Sequence, residues 1–480
     1  MIDTQAIRNK ILDLALRGQL TEQLPEDGTA EELYQQIQEE KRALIEVGKI
    51  KKEKPLPENT ESESPFEIPK NWKWVKLGNI TTKITSGSTP TGGRKSNVYV
   101  ESGFPLFREQ NIYDDGIHQA GMVFITEELL KTRKNSTVLA KDILLNITGG
   151  SIGRCALVPD SFDRGSINQH ILIIRAVDPE TRFYLHMLIC SPYIQSYIKN
   201  KAVGDKDGFS GGRCKKILVP LPPIAEQQRI VEKIDQTFSV LDTIDTLQAQ
   251  YADNLTALKA KLIDAAIRGK LTEQLPEDGT AEELYQKIQA EKQELIRAGK
   301  IKKEKPLPEI VADEISIEIP ANWKSCRLGS IITLVSGTDY KPEEYNAEMR
   351  GTPYITGASN LLPEGVLINR WTETPRCIAN KGDVLLVCKG SGYGKVAMCD
   401  IEEAHIARQI MALKKTDLLD MRYILYYLVA NFSYLKGKGQ GLIPGVDRKS
   451  VLNMIFRLPP LAEQKRITQK IDELLSLFEK

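Results

Sequence analysis

Residues able to do covalent chemistry are present in this chain, but none stands at a spacing that would let it act. Four histidines, at 118, 170, 186 and 405, form no metal-ligand pattern. Seven cysteines, at 155, 190, 214, 326, 377, 388 and 399, are odd in number and scattered, with no Cys-x-x-Cys. They read as reduced thiols, and no metal site is expected. Gly390-Ser-Gly-Tyr-Gly-Lys395 approaches a phosphate-cradling loop but lacks its spacing and its hydroxyl residue. Its counterpart, Gly149-Gly-Ser-Ile-Gly153, departs further, and a tight strand connection or a turn that lets backbone approach a ligand suits both. No Asn/Asp-Pro-Pro-Tyr/Phe is found; the Leu-Pro-Pro steps at 221 and 458 open helices instead. The expectation is therefore no catalytic residue, no cofactor and no metal.

What must position the remaining chemistry is a repeated frame. Lys10–Glu58 recurs at Lys261–Glu309 with 38 of 49 positions identical, and LPPIAEQQRIVEKID from Leu221 returns as LPPLAEQKRITQKID from Leu458. The middle of the chain thus reads as its C-terminus joined to its N-terminus, a circular arrangement on a pseudo-twofold axis. Length and composition, 480 residues with 41% hydrophobic and 27% charged, describe three to four globular domains. The longest apolar run, Tyr423–Phe432, is half of a membrane span, and the first residues lack the apolar core of a signal peptide, so a cytoplasmic location is expected.

Net charge is +1, but the average conceals a segregation. Residues 70–220 hold 21 Lys and Arg against 13 Asp and Glu, and residues 320–457 hold 18 against 13. The repeated segments are left with −12. Two basic modules on acidic connectors suit modules that face phosphates and connectors that face protein.

The connectors read as helices. Ile230, Ile234, Thr237, Leu241, Ile244, Gln248, Tyr251, Leu255, Leu258 and Leu262 keep an unbroken 4-3-4-3 spacing, the seam of a coiled coil. Ile467, Ile471, Leu474 and Phe478, with Ile7, Ile11 and Leu14, supply a second seam, and antiparallel pairing is the economical choice. Gly18 and Gly269 are placed to end helices, while Thr29-Ala-Glu-Glu32 and Thr280-Ala-Glu-Glu283 are capping boxes that open further helices closed near Gly48 and Gly299. The modules correspond more weakly: Ile68-Pro-Lys-Asn-Trp72 with Ile319-Pro-Ala-Asn-Trp323, and Asp142-Ile-Leu-Leu145 with Asp383-Val-Leu-Leu386. His170–Arg175, Val384–Val387 and Ile143–Ile147 read as strands, Phe183–Lys201 and Arg422–Lys436 as helices. Trp72, Trp74 and Trp323 read as core anchors at the module entrances.

This order of module, helical repeat, module, helical repeat resembles the specificity subunit of type I restriction-modification systems. IPxxWxWxxLG, SGSTP (Ser86–Pro90), DILLNITGGSIGR (Asp142–Arg154), SINQH (Ser166–His170) and LPPxAEQxRI are similar to that family's signatures. The resemblance covers essentially the whole chain. It departs in the second module, where Ser336-Gly-Thr-Asp-Tyr340 and Val387-Cys-Lys389 replace SGSTP and Asn146-Ile-Thr148. It implies an α+β architecture with two similar mixed α/β target recognition domains, at 70–220 and 320–457. Long antiparallel coiled-coil helices would separate them, with helical segments at 1–69, 221–319 and 458–480. It also implies double-stranded DNA as a partner, two methyltransferase subunits docked on the helices, and ATP-dependent restriction subunits in the larger assembly.

Basic and amide side chains on strand-linking loops are then the natural readers of base edges. The candidates are Arg94, Lys95, Arg108, Gln110, Asn111, Arg154, Lys206 and Arg213 in the first module. In the second they are Lys341, Asn360, Arg370, Lys389, Lys395, Lys438, Arg448 and Lys449. Half to two-thirds of such contacts go to backbone phosphate and sugar. Glu31, Glu32, Tyr34, Glu282, Glu283 and Tyr285, on the near-identical surfaces, are candidates for partner docking. Two other readings stand beside this one: a solitary or antagonist DNA-binding protein outside a restriction complex, and a protein-only scaffold.

Overall fold

Asp3 opens the first helix, its carboxylate accepting the Ala6 N–H at 2.9 Å, and the helix runs Thr4–Leu16. Gly18 closes it at φ 67°, with its N–H on the Ala15 carbonyl and the Gln19 N–H on Leu14. This is a Schellman stop, in which the left-handed position favours glycine. Gly269 repeats it at φ 70°. The box at Thr29 is closed both ways: the hydroxyl accepts the Glu32 N–H at 3.3 Å, and the Glu32 carboxylate accepts the Thr29 N–H at 2.8 Å. The helices that follow, Ala30–Glu46 and Ala281–Arg297, end just before Gly48 and Gly299.

The heptad stretch lies inside one 43-residue helix, Ile224–Ala266. Thr4 and Arg8 meet Asp245 and Asp242 on it, while Thr21 and Gln23 meet Glu226, so the first helix runs antiparallel to it. Burial along the seam is uneven. Ile230, Ile234 and Leu241 are buried, whereas Tyr251 and Leu258 are exposed; near the far end the buried residue is Ile263, the neighbour of the seam residue Leu262.

The computed structural model describes the chain apart from residues 57–63, 90–97, 203–208, 312–313, 315–317, 363–364, 391, 433–444 and 479–480. It divides into two units, Met1–Ala249 and Gln250–Lys480, with the division inside the long helix. In the first unit an antiparallel sheet is ordered Thr81–Ser86, Ile171–Ala176, Ile143–Asn146, Cys155–Leu157. A second, mixed sheet is ordered Val123–Ile125, Phe104–Phe107, Arg164–Ile167, Thr137–Leu139. The second unit repeats both sheets strand for strand. Its first is Leu334–Ser336, Ile410–Leu413, Val384–Val387, Val396–Met398, and its second is Trp371–Thr372, Thr352–Ile355, Glu403–Ile406, Ile378–Asn380. Even the register is kept: Leu145 opposes Cys155 as Leu386 opposes Val396.

Apolar runs explain the central strands. Ile143, Leu144 and Leu145 are fully buried, as are Val384 and Leu385, because both faces of the strand are covered. Helices Arg182–Cys190 and Met421–Ala430 lie against Cys155–Leu157 and Val396–Met398. The single helix expected over Phe183–Lys201 is two, Arg182–Cys190 and Pro192–Ala202. Pro192 has no N–H to continue the first, and Ser191 turns extended before it.

Candidate nucleic-acid interface

Each module is fastened to its helices by one buried carboxylate. Glu226, from the first turn of the long helix, is fully buried and accepts the Trp72 indole N–H at 2.8 Å. Its other oxygen accepts Gln23 at 2.8 Å and Thr21 at 3.2 Å. Glu463 does the same in the second unit, taking Trp323 at 2.9 Å and Gln274 at 2.9 Å. Arg229 and Arg466 add paired bonds to Asp27 and Asp278, each with a 2.5 Å contact. Those bonds hold both aspartates below their ordinary value. The tryptophans are thus anchors, and much of the repeated LTEQLPEDG identity is used inside the chain.

Around the ends of the sheets, four loops of each unit meet in one rim. In the first unit they are 86–88, 108–113, 147–154 and 168–170. The Gly87 N–H reaches the Asn168 carbonyl, the Asn168 amide reaches the Glu109 carboxylate at 2.9 Å, and Thr148 meets His170 at 2.6 Å. Burial pushes the Glu109 carboxyl up, but the Asn168 bond and nearby cations hold it below its ordinary range. Arg154 lies 4.5 Å over the Tyr113 ring, which stacks on His118 at 4.1 Å. The second unit closes the same rim: Thr338 N–H on Ile406, Cys388 N–H on Gln409 at 2.7 Å, and Arg408 N–H on the Asp339 carboxylate at 2.9 Å.

Glycines let these loops approach. A Cβ at Gly87 or Gly337 would stand 2.1 Å from the carbonyl oxygen of Ile167 or Ala407. Gly149 and Gly153 (φ 72° and 93°) are matched by Gly390 and Gly394 (both 90°), in turns that join two strands. They connect strand to strand, unlike a phosphate loop, which leads from strand to helix.

The family model described as "Type I restriction modification DNA specificity domain" matches residues 69–250 and again 320–480. The chain belongs to the type I specificity family. A similar relative, the type I restriction enzyme EcoAI specificity subunit of Escherichia coli, is 27% identical over 99% of this chain and 89% of its own. The EcoEI specificity subunit of the same organism is 26% identical over 98% and 89%. A solved chain described as "Structural basis underlying complex assembly and conformational transition of the type I R-M system" shares the fold. Its TM-score is 0.62 at 21% identity, over 86% of this chain and 92% of that one.

In this specificity subunit the candidate readers divide. Gln110, Arg154, Lys389 and Lys395 lie on the rims, with Gln110 and both lysines exposed. Arg108 is half-buried and spends one nitrogen on the Gly121 carbonyl. Arg213 donates to the Lys201 carbonyl at 2.7 Å. Lys341 and Arg370 border the segment that packs on strand Trp371–Thr372, with Arg370 5.7 Å over the Tyr345 ring, and Lys449 is exposed. Arg94, Lys95, Lys206 and Lys438 lie outside the described residues.

Three candidates are engaged within the chain. Asn111 is fully buried and saturated, its oxygen on the Arg108 N–H and its amide on the carbonyls of His118 and Ala120. Asn360 is its equivalent, accepting from Thr356 and Gly357 and donating to Leu367. Both hold a hairpin together. Arg448 is tied to the Leu334 carbonyl at 2.7 Å and to the Glu304 carboxylate. Sequence reasoning also missed Gln169, Arg408 and Gln409, exposed at the rim turns 168–170 and 407–409. The SINQH signature was the available signal.

The candidate docking surface is reproduced in both units. Lys73 bonds Glu31 at 2.6 Å and lies 5.4 Å over the Tyr34 ring; Lys324 bonds Glu282 at 2.6 Å and lies 5.0 Å over Tyr285. Glu32 is engaged in the Thr29 cap. The Glu283 N–H caps onto Thr280 at 3.3 Å.

Proposed function

We propose that each unit reads one half of a bipartite, gapped DNA site, and that the helical segments dock two methyltransferase subunits. Restriction subunits join the larger assembly, and this chain carries no catalytic step itself. The reading is carried by one observation: the two rims share their scaffold and differ in what they present. Asn111 and Asn360, and the paired glycines, hold matching positions. At the presenting positions Gln110 corresponds to Ser359, Arg154 to Lys395, Gln169 to Arg408 and His170 to Gln409. Arg and Lys suit guanine O6 and N7, and Gln suits adenine N6 and N7, so unlike rims suit unlike half-sites. The basic balance of both modules supplies attraction to phosphate that carries no sequence information.

The test is a genome-wide map of methylated adenines, with and without this gene and after replacing residues 70–220 by the equivalent module of a relative. The expected map shows two short half-sites around a sequence-free gap, and the exchange changes one half only. A continuous target, or an exchange that changes both halves, contradicts the reading.

A further inference from the structure

The chemistry that the rims do not use is concentrated at one place in the first unit. His186 and Cys190 stand one turn apart on helix Arg182–Cys190, so both face the strand beneath, where Cys155 is fully buried. The Nε2 of His186 lies 3.8 Å from the Cys190 sulfur and 3.0 Å from the Cys155 carbonyl oxygen. The two sulfurs and an imidazole nitrogen all lie within 4.8 Å of one another. Asp114 completes the surroundings, its carboxylate accepting the Cys155 N–H at 2.9 Å. We propose that Cys155, His186 and Cys190 form a binding site for a thiophilic divalent cation of the zinc type, with water in the fourth position.

Zinc–sulfur and zinc–nitrogen bonds of about 2.3 and 2.0 Å put neighbouring ligand atoms of a tetrahedral shell roughly 3.4–3.8 Å apart. The cluster therefore needs to contract by up to about 1 Å, with the His186 Nε2 turning from the Cys155 carbonyl to the ion. Soft sulfur with imidazole selects zinc-like ions over magnesium or calcium, which take oxygen.

The chain contains its own control. Cys155 corresponds by strand register to Val396. Tyr184 and Tyr423 both donate to the closing strand, at Pro220 and Arg457, which aligns the two helices and sets His186 against Leu425 and Cys190 against Val429. The second unit has aliphatic residues at all three positions, Val396 and Leu425 half-buried and Val429 exposed. Three ligating residues converging at that place in the first are therefore not a requirement of the fold. A bound ion would clamp helix to strand directly behind Arg154, stiffening one rim and not the other.

The full-length chain, reduced and stripped with chelator, is titrated with cobalt(II) as probe. The expected result is one cobalt per chain with thiolate charge-transfer absorption and tetrahedral ligand-field bands, displaced by zinc, and a higher thermal midpoint with zinc than without. Cys190→Ser should weaken cobalt binding by more than about 100-fold. The triple variant C155V/H186L/C190V copies the second unit's residues, so it should fold and lose both the spectrum and the zinc-dependent midpoint. No cobalt spectrum from the reduced chain, an unchanged spectrum in the triple variant, or a Cys155–Cys190 disulfide with no metal bound after its reduction would overturn the proposal. None of these readouts involves DNA, so their failure leaves the proposed recognition untouched.

Discussion

Asn111 and Arg408 show how residue type alone misleads. An asparagine in a basic module looks like an adenine reader, yet Asn111 bonds three backbone groups, the Arg108 N–H and the carbonyls of His118 and Ala120. Asn111→Ala should cost about 3 kcal/mol of stability, because buried donors and acceptors lose their partners. It should weaken recognition only in proportion to unfolding. Arg408, exposed on the rim, should behave oppositely: Arg408→Ala keeps the thermal midpoint. It loses about 1–3 kcal/mol of DNA binding if it contacts a base, or lowers the salt slope by about one if it contacts phosphate. Thermal melts and binding isotherms over a salt series separate the two. Asp27 and Asp278 give a pH prediction. Their arginine bonds lower the folded carboxyl values below the ordinary 3.8. The stability they add is present in full above about 3.8 and is lost as pH falls through the lowered values. Wild type should therefore lose stability steeply below about pH 4, and the double variant D27N/D278N should lose less over that window, as read by melts from about pH 7 to about pH 3.

Among elements, the long helix carries residues of both units, and the proposed gapped recognition takes it as the spacer. At 1.5 Å per residue its 43 residues extend about 64 Å, and nothing in its sequence breaks it. Its middle is held less by burial than its ends, since Leu247, Tyr251 and Leu258 are exposed. A seven-residue insertion between Ile244 and Leu255 adds about 10 Å with little rotation. It should lengthen the gap between half-sites or abolish binding, and methylation mapping should find the half-site bases unchanged. The carboxylates Glu226 and Glu463 fix each module to its helices, which is why AEQ and LTEQ recur together: they are two sides of one contact.

At the scale of the whole molecule, the duplication motivates the proposed stoichiometry. The Glu31–Lys73–Tyr34 surface recurs as Glu282–Lys324–Tyr285, so two copies of one partner are expected on each chain. Light scattering of the complex with methyltransferase subunits should give two per chain. Charge reversal at Glu31 and Glu282 together should weaken assembly more than either alone, while Glu32 is avoided because it caps its own helix. A single bound partner would show that the repeat serves the internal joint alone.

Local chemistry made the helices legible in advance: heptad spacing, capping boxes and closing glycines act over a few residues, and all left their mark in sequence. The paired modules were legible too, because a duplicated chain records its own alignment. Which polar residues face outward was decided by packing. Asn111 and Gln110 are neighbours in sequence with opposite fates, and only the hairpin that closes over Asn111 separates them. Likewise Cys155 and His186 stand 31 residues apart, and no spacing rule joins them. The sheet that seats Cys155 beneath one helix face brings them together, an outcome fixed by tertiary structure because strand register and helix placement depend on the whole core.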